Sequence, residues 1–432
     1  MPKKTSRKYI LYILAVMNFT HIIDSMLIMP LGDIFISEFN ISPREYSWLV
    51  SAYALTAGIS CILGILFLDR LPRKNALLFL YGGFAIGTFL CSLCTTYETL
   101  ITLRAATGFF GGMIGALVLS IISDLFPFKE RGTAMGILFA SFSAASALGV
   151  PFGIYIAAKG SWQIPFMILG LLGVVIAAII FFTFPAMNDH LQLQPKKRNS
   201  LFQILGNVIE DKNQVYALTA GFVLIMGHFM IIPFISPFMI KNIGLTQIEV
   251  AYQFFAGGVA TFITSPAIGK MTDKYGIMNV FIIVMVISWV PTLLITHLTT
   301  APLSISISLV AFFFIFGSGR MISPNTIITA AASTETRGSF MSLKSALQQL
   351  AIASTAFISG TIVTIGANGK YQNYNYTGYL AIFFCIITHT MIFFALIYRM
   401  NTTSNHVKYL VSSLTFDILF WVNCINSRIS HY

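Results

Sequence analysis

The chain has 432 residues, of which 56% are apolar and only 9% charged, with a mean hydropathy of +0.81. Soluble domains carry roughly a quarter charged residues, so a water-soluble globule is excluded. The net charge of +11 follows the membrane topology described below, and no nucleic-acid partner is expected.

Twelve apolar stretches are predicted as spans, at 9–31, 46–68, 76–96, 99–124, 133–158, 163–185, 213–239, 248–270, 277–298, 303–328, 339–366 and 377–399. Each is long enough to cross a hydrocarbon core of about 30 Å. Backbone polar groups in lipid must be satisfied within the segment, so the spans are helices, and β-barrel strands would not give such continuous runs. With the N-terminus inside, nineteen Lys and Arg fall in inside segments and four outside, Arg44, Lys159, Lys241 and Lys370. The positive-inside rule then puts both termini in the cytoplasm and makes the chain a multi-pass protein of the cell (inner, cytoplasmic) membrane. The basic start MPKKTSRK runs straight into a full-length span, so no cleavable signal is expected.

The first span carries His21 and Asp24, one helical turn apart on the same face. Asp24 is the only acidic residue placed deep in a span, seven residues or about 10 Å from the outer end. The segment LFLDRLPRK at 66–74 follows the second span and holds Asp69, Arg70, Arg73 and Lys74. Cys91 and Cys94 lie in an apolar stretch with no partner cluster and are expected to be inert packing residues.

The fourth span contains Arg104, five residues or about 8 Å from the outer end and therefore level with Asp24. An arginine within the membrane costs at least about 2.5–3.5 kcal/mol on insertion scales, so it should face a cavity or a carboxylate. After it, Gly108/Gly112 and Gly111/Gly115 form small-xxx-small pairs suited to close helix packing. The fifth span holds the run ASALGVPFG, with Gly149, Pro151 and Gly153, expected to be a bent and closely packed helix.

A polar, basic stretch at 186–212 divides the chain, giving bundles at 1–185 and 213–399 and a tail at 400–432. The halves match at nearly one offset. His21 and Pro30 correspond to His228 and Pro237 at 207, Asp69 to Asp273 at 204, and Arg131-Gly132 to Arg337-Gly338 at 206. Such a parallel six-plus-six duplication is a common build of rocking secondary transporters. His228 falls mid-span, followed by Pro233 and Pro237, which should kink the helix beside a cavity. Arg320 in the tenth span could join Ser323, Asn325, Gln348 and Gln349 in a polar patch, or pair with Glu335 or Asp273. The apolar stretch 409–425 contains Asp417 and is expected to be an interfacial or packed tail rather than a further span.

The loops after spans two and eight, 66–74 and GKMTDKYG at 269–276, resemble the signature of the major facilitator superfamily. The second-half copy keeps Gly, Asp273, Lys274 and Gly but loses the basic pair, and Pro72 replaces a Gly in the first. In that family the loop is a cytoplasmic latch, which implies the role for Asp69, Arg70, Arg73, Asp273 and Lys274. Arg104-x-x-x-Gly108 resembles the fourth-helix motif of proton-coupled members. The run around Gly149 is similar to the drug:proton antiporter branch, in its arabinose-efflux-permease-like form, although Val150 separates Gly149 from Pro151.

The resemblance implies an all-α fold of two six-helix bundles, alternating access, and helices 1 and 4 lining a central cavity. A proton-coupled efflux antiporter of a small organic solute is the expected function, with Asp24 carrying the proton and Arg104 and His21 adjusting it. His228, Arg320, Asn325 and Gln348 are the candidate solute-cavity residues. A carboxylate is acidified by a neighbouring arginine and made less acidic by desolvation, so moving Arg104 would load or release the proton. A static Asp24–Arg104 pair is the competing expectation, as are a sugar or metabolite carrier with other coupling, a membrane sensor, or a membrane enzyme. No metal cluster, nucleophile elbow, paired-carboxylate constellation or Walker-type loop is present in the sequence, so no cofactor or enzymatic activity is expected. The expected partners are the solute, protons and the lipid bilayer, with the chain acting as a monomer.

Overall fold

A computed structural model describes residues 4–67, 70–188, 191, 201–331 and 337–402. Asp69, Glu335, the basic run 195–198 and the stretch 409–425 lie outside the described residues.

In the first half, α1 (Lys4–Leu27) is followed by the short α2 (Gly32–Glu38), then α3 (Pro43–Phe67) and α4 (Arg73–Cys91). The fourth span is two helices, α5 (Tyr97–Gly112) and α6 (Ile114–Leu125), joined at Met113. The fifth comprises α7 (Phe128–Ala144), a π-helical turn (Ala145–Gly149) and α8 (Val150–Lys159), and α9 (Gln163–Thr183) completes the half. Within the expected linker lies α10 (Leu201–Glu210). The second half runs α11 (Lys212–Phe229), α12 (Ile232–Lys241), α13 (Gln247–Tyr275), α14 (Ile277–Thr296), α15 (Leu303–Ala330), α16 (Arg337–Ile362) and α17 (Tyr374–Thr402). Before α17 a two-residue antiparallel pair, β1 (Thr364–Ile365) and β2 (Tyr371–Gln372), sets Thr364 opposite Gln372. The eleventh span, expected to reach 366, thus ends at Ile362.

These helices form twelve membrane crossings in two six-helix bundles. Ten of the crossings are long and apolar enough by length and composition alone. The other two, α13 and α16, carry Lys270, Asp273 and Lys274, and Lys344, Gln348 and Gln349 respectively. Both pack against the opposite half, α16 along α3 and α13 along α8 and the π turn, so protein replaces some of the lipid around them.

The duplication extends to helix starts. Glu45 accepts from the Ser42 amide at 2.7 Å, and Glu249 accepts from the Thr246 amide at 2.7 Å, each closing a reciprocal cap at the entry of α3 and α13. It extends to helix breaks as well. The helix of the first crossing stops at Leu27 and the short α2 begins beyond it at Gly32, and the seventh crossing stops at Phe229 and resumes at Ile232. The proline-induced kink expected near Pro233 is therefore a full break, with Pro233 in the first turn of α12, where its missing amide costs nothing. At the π turn, the extra residue per turn relieves the clash that Pro151 would otherwise make with the preceding turn.

Among the described residues, polar contacts between the halves gather at the end where α1 hands over to α2, here called the distal end. Ser236 and Gln247 donate to the Pro30 carbonyl at 2.6 and 2.9 Å. The Tyr46 hydroxyl lies 3.0 Å from the Met29 carbonyl and 3.2 Å from that of Pro233. Lys241 Nζ stands 3.6 Å from Asp33 Oδ1. Burial pushes the Asp33 carboxyl above its usual range, and the Lys241 ammonium partly opposes this. A side chain at Gly32 would run into the Tyr46 ring at 2.6 Å and Pro237 at 2.9 Å. The distal end is closed.

Candidate functional site

Asp24 occupies the last turn of α1, where the helix carbonyls present a partial negative charge that disfavours a carboxylate. Arg104 of α5 supplies the compensation, its Nη1 donating to Asp24 Oδ2 at 2.9 Å, with both side chains wholly buried. Thr88 of α4 donates to Asp24 Oδ1 at 3.1 Å, so both carboxylate oxygens are engaged. The guanidinium lies over the Tyr53 ring, 4.5 Å from its centroid, and 5.9 Å from the Phe166 centroid. Arg104 Nε and Nη2 have no hydrogen-bond partner among the described residues. His21 does not bond Asp24. Its Nε2 is 3.2 Å from the Tyr53 hydroxyl, and its ring meets Phe84 edge-on at 5.0 Å.

Glycines set this geometry. A Cβ on Gly108 would strike the Tyr53 carbonyl, and one on Gly112 the Ala57 carbonyl. Their absence lets α5 lie directly on α3, which carries Arg104 onto the Tyr53 ring, and Thr56 fixes the approach by donating to the Ala105 carbonyl at 2.7 Å. On the other side, Gly149 abuts Ile23, and a Cβ on Gly153 would reach Leu27 at 2.8 Å, so the π turn and α8 press on the turn of α1 that bears Asp24. Pro151 begins that second segment.

The second half is arranged differently. Arg320 of α15 is buried, and it donates to the Gly227 carbonyl at 2.9 Å, to Cys385 Sγ at 2.9 Å and to Ser288 Oγ at 3.3 Å. Gly227 lies in the last turn of α11, so this cation caps a helix C-terminus from within the bundle. The expected polar patch around it does not assemble. Ser323 turns to Thr272 at 2.9 Å. Asn325 lies about 140° round the helix from Arg320 and donates to the Met321 carbonyl of its own helix at 2.8 Å. Gln348 is half-buried on α16 with no hydrogen bond to Arg320 among the described residues. Asp273 is exposed at the end of α13 and does not pair with Arg320 either. His228 stacks on Phe313 at 6.0 Å, meets Phe229 edge-on at 5.2 Å, and has no partner on Nδ1 among the described residues.

Of the residues expected to form a latch, Arg73 pairs with Asp124 of α6 at 2.9 Å, within its own half. Arg70 is exposed just after α3. Lys274 is exposed with Nζ 5.1 Å from the Tyr275 ring, and neither it nor Asp273 makes an ion pair among the described residues. Sequence reasoning missed Tyr53, Thr88, Asp124 and Cys385 as partners of these charges, and Lys344, a half-buried cation on α16. Lys344 and Asp124 had a signal, a charge inside a predicted span, Asp124 at the very end of the fourth.

A profile of the Major Facilitator Superfamily matches residues 14–218 and 217–414. The uncharacterized MFS-type transporter YbcL of Bacillus subtilis is 22% identical over 388 residues, covering 90% of this chain and 96% of that protein. The multidrug resistance protein fnx1 of Schizosaccharomyces pombe is 25% identical over 55% of this chain and 44% of its own length. The efflux pump dotC of Dothistroma septosporum is 35% identical over 34% of this chain and 25% of its own. A bacterial homologue of the human lysosomal transporter Spinster, in an inward-facing and unoccupied conformation, superposes with a TM-score of 0.69 at 17% identity, over 91% of this chain and 98% of that one. A mutant of the nucleoside transporter NupG does so with 0.70 at 13% identity, over 89% and 99%. With both halves matched in sequence and the whole fold shared, the chain belongs to the major facilitator superfamily of transporters.

Proposed function

We propose that the protein is a proton-coupled efflux antiporter of a small organic solute, working by alternating access between the two halves. The observation that carries this reading is the wholly buried Asp24–Arg104 pair at 2.9 Å. A proton arriving on Asp24 cancels the attraction and leaves a buried guanidinium without a counter-charge, which costs about 3–5 kcal/mol in buried pairs generally. That penalty is large enough to drive a change of packing. Asp24 is the proton carrier, Arg104 sets its charge state, and His21 acts on the pair through Tyr53.

The bundles are taken as 1–185 and 213–399, joined by the linker 186–212, with 400–432 as a tail and both termini on the cytoplasmic side of the cell membrane. The closed distal end then faces outward, and the solute site opens inward. His228, with its Nδ1 available, and the half-buried Gln348 would meet the solute, and the loops holding Asp69, Arg70, Arg73, Asp273 and Lys274 would close the cytoplasmic side in the other state. The efflux and multidrug names of some relatives support the direction of transport. The chain acts as a monomer.

Everted vesicles holding a pH-sensitive dye test this reading, with cationic drugs, sugars and amino acids added in turn to the natural chain and to Asp24→Asn. Dissipation of the proton gradient by one compound class, lost in Asp24→Asn, is the expected result. Equal coupling in the variant would remove Asp24 from the proton path. No proton movement with any compound would favour a carrier with another coupling mode.

A further inference from the structure

We propose that Tyr53 is the positioning residue through which the charge state of the Asp24–Arg104 pair reaches the seam between the halves, a role that rests on the proton-coupled reading above. Tyr53 touches both sides of the problem. Its ring lies 4.5 Å from the Arg104 guanidinium, and its hydroxyl is 3.2 Å from His21 Nε2. Its backbone carbonyl is the surface against which Gly108 packs.

Two residues earlier on the same helix, about 200° round it, Ser51 donates to the Ala353 carbonyl of α16 at 3.0 Å. Further along, a Cβ on Gly58 would lie 3.0 Å from Leu350 and 3.2 Å from the Ala346 carbonyl. One face of α3 therefore meets the opposite half while the other bears the charge site. With α5 seated on α3 through Gly108 and Gly112, there is no slack between them. When Asp24 is protonated, the guanidinium loses its charged partner and is left with the Tyr53 ring, an attraction that strengthens where water is excluded. Any shift of that ring must be taken up by rotation or tilt of α3, and α3 is the helix that grips α16.

The titratable and charged groups around Tyr53 and the ion pair are His21 and Asp24 from α1, Arg104 from α5, Cys61 from its own helix and Cys91 of α4, with Tyr81 of α4 stacked on the Phe84 ring that meets His21. Across the seam, α16 presents backbone carbonyls and apolar side chains to Ser51 and Gly58. His21 is thus the titratable group bonded to the hydroxyl, and the ring belongs to Arg104.

Trp48, on α3, lies 5.1 Å from Phe357 of α16 and is a native reporter of the seam. The test is a pH titration of its emission in the full chain in nanodiscs, taken as the difference from a Trp48→Phe counterpart. Every chain carries Asp33→Asn, because Asp33 also responds to pH at the distal end. The unaltered Tyr53 chain is expected to show a transition that Asp24→Asn abolishes. Tyr53→Leu is expected to abolish it too, whereas Tyr53→Phe, which keeps the ring and frees His21, keeps the transition with a displaced midpoint.

The outcomes separate. No transition, or one that survives Asp24→Asn, sinks the proton-coupled reading and the role of Tyr53 together. Loss in Asp24→Asn with an undisplaced transition in Tyr53→Leu leaves the reading standing and overturns Tyr53. If Tyr53→Leu does not fold, Tyr53→Phe decides, and an unmoved midpoint, even with a lower melting temperature, overturns the proposal.

Discussion

Each half buries one arginine against the C-terminal end of its broken first helix, and the two are neutralised by different means. In the first half Arg104 reaches the last turn of α1 through Asp24, a full opposite charge. In the second Arg320 rests on the Gly227 carbonyl, Ser288 and Cys385, a set of neutral groups at the end of α11. The two arginines do not occupy corresponding repeat positions, since Arg104 at an offset of 206 falls on Val310. The difference is chemical as well as geometric. A carboxylate can be switched off by one proton, whereas a backbone carbonyl cannot, so under the proposed function the first half responds to protons and the second holds its shape.

The sharpest way to break this comparison is Asp24→Asn, which strands Arg104. It should destabilise the first half by about 3–5 kcal/mol, read as a fall in melting temperature of the purified chain. Asp24→Asn with Arg104→Met should recover most of that stability without recovering proton coupling. If the double variant couples, the pair is structural and the contrast between the halves collapses.

Gly112→Ala comes next. The new methyl meets the Ala57 carbonyl and must push α5 off α3, at a cost of about 1–3 kcal/mol. Because the same contact seats Arg104, proton coupling should fall with stability, and a variant losing stability alone would detach packing from coupling. Arg320→Met should matter less. It leaves the Gly227 carbonyl unpaired but also removes a buried cation, and the two roughly offset, within about 1 kcal/mol. Its melting temperature should shift little and the midpoint of the coupling profile not at all. A loss as large as that of Asp24→Asn would show that the arginines serve alike.

The smallest effect is expected at Asp33, whose pair with Lys241 at 3.6 Å is partly open to solvent and worth at most about 1 kcal/mol. Burial raises the Asp33 pKa in the closed distal end relative to an open, hydrated one, with Lys241 opposing. A raised value in the closed state means that closure is favoured below the ordinary carboxylate range and weakened as pH rises through the elevated value. Hydrogen exchange of α2 and α12, divided by the intrinsic base-catalysed rate at each pH, should therefore quicken with rising pH, and Asp33→Asn should flatten that residual dependence.

What could be seen in the sequence follows the same divide. Asp24 and Arg104 announce themselves because charge within an apolar span is rare, and counting residues from the span ends sets them level. Tyr53 and Thr88 give no such signal, since spans apolar on every side do not declare which face of a helix is turned inward. The neutral cage of Arg320 was harder still, because a carbonyl, a hydroxyl and a thiol have no distinctive spacing. The helix breaks after Leu27 and Phe229 were hidden by hydropathy that continues across them, and the π turn by a run legible only as a bend.

The central claim is that Asp24 takes up a proton while buried. Infrared difference spectroscopy of the full chain in nanodiscs, stepped from high to low pH, observes this directly through the carboxylic acid C=O band. The expected result is a band from a water-excluded carboxyl in the natural chain that is missing in Asp24→Asn and retained in Asp33→Asn. Identical spectra for the natural chain and Asp24→Asn would contradict the account, leaving Asp24 as a permanent counter-charge to Arg104.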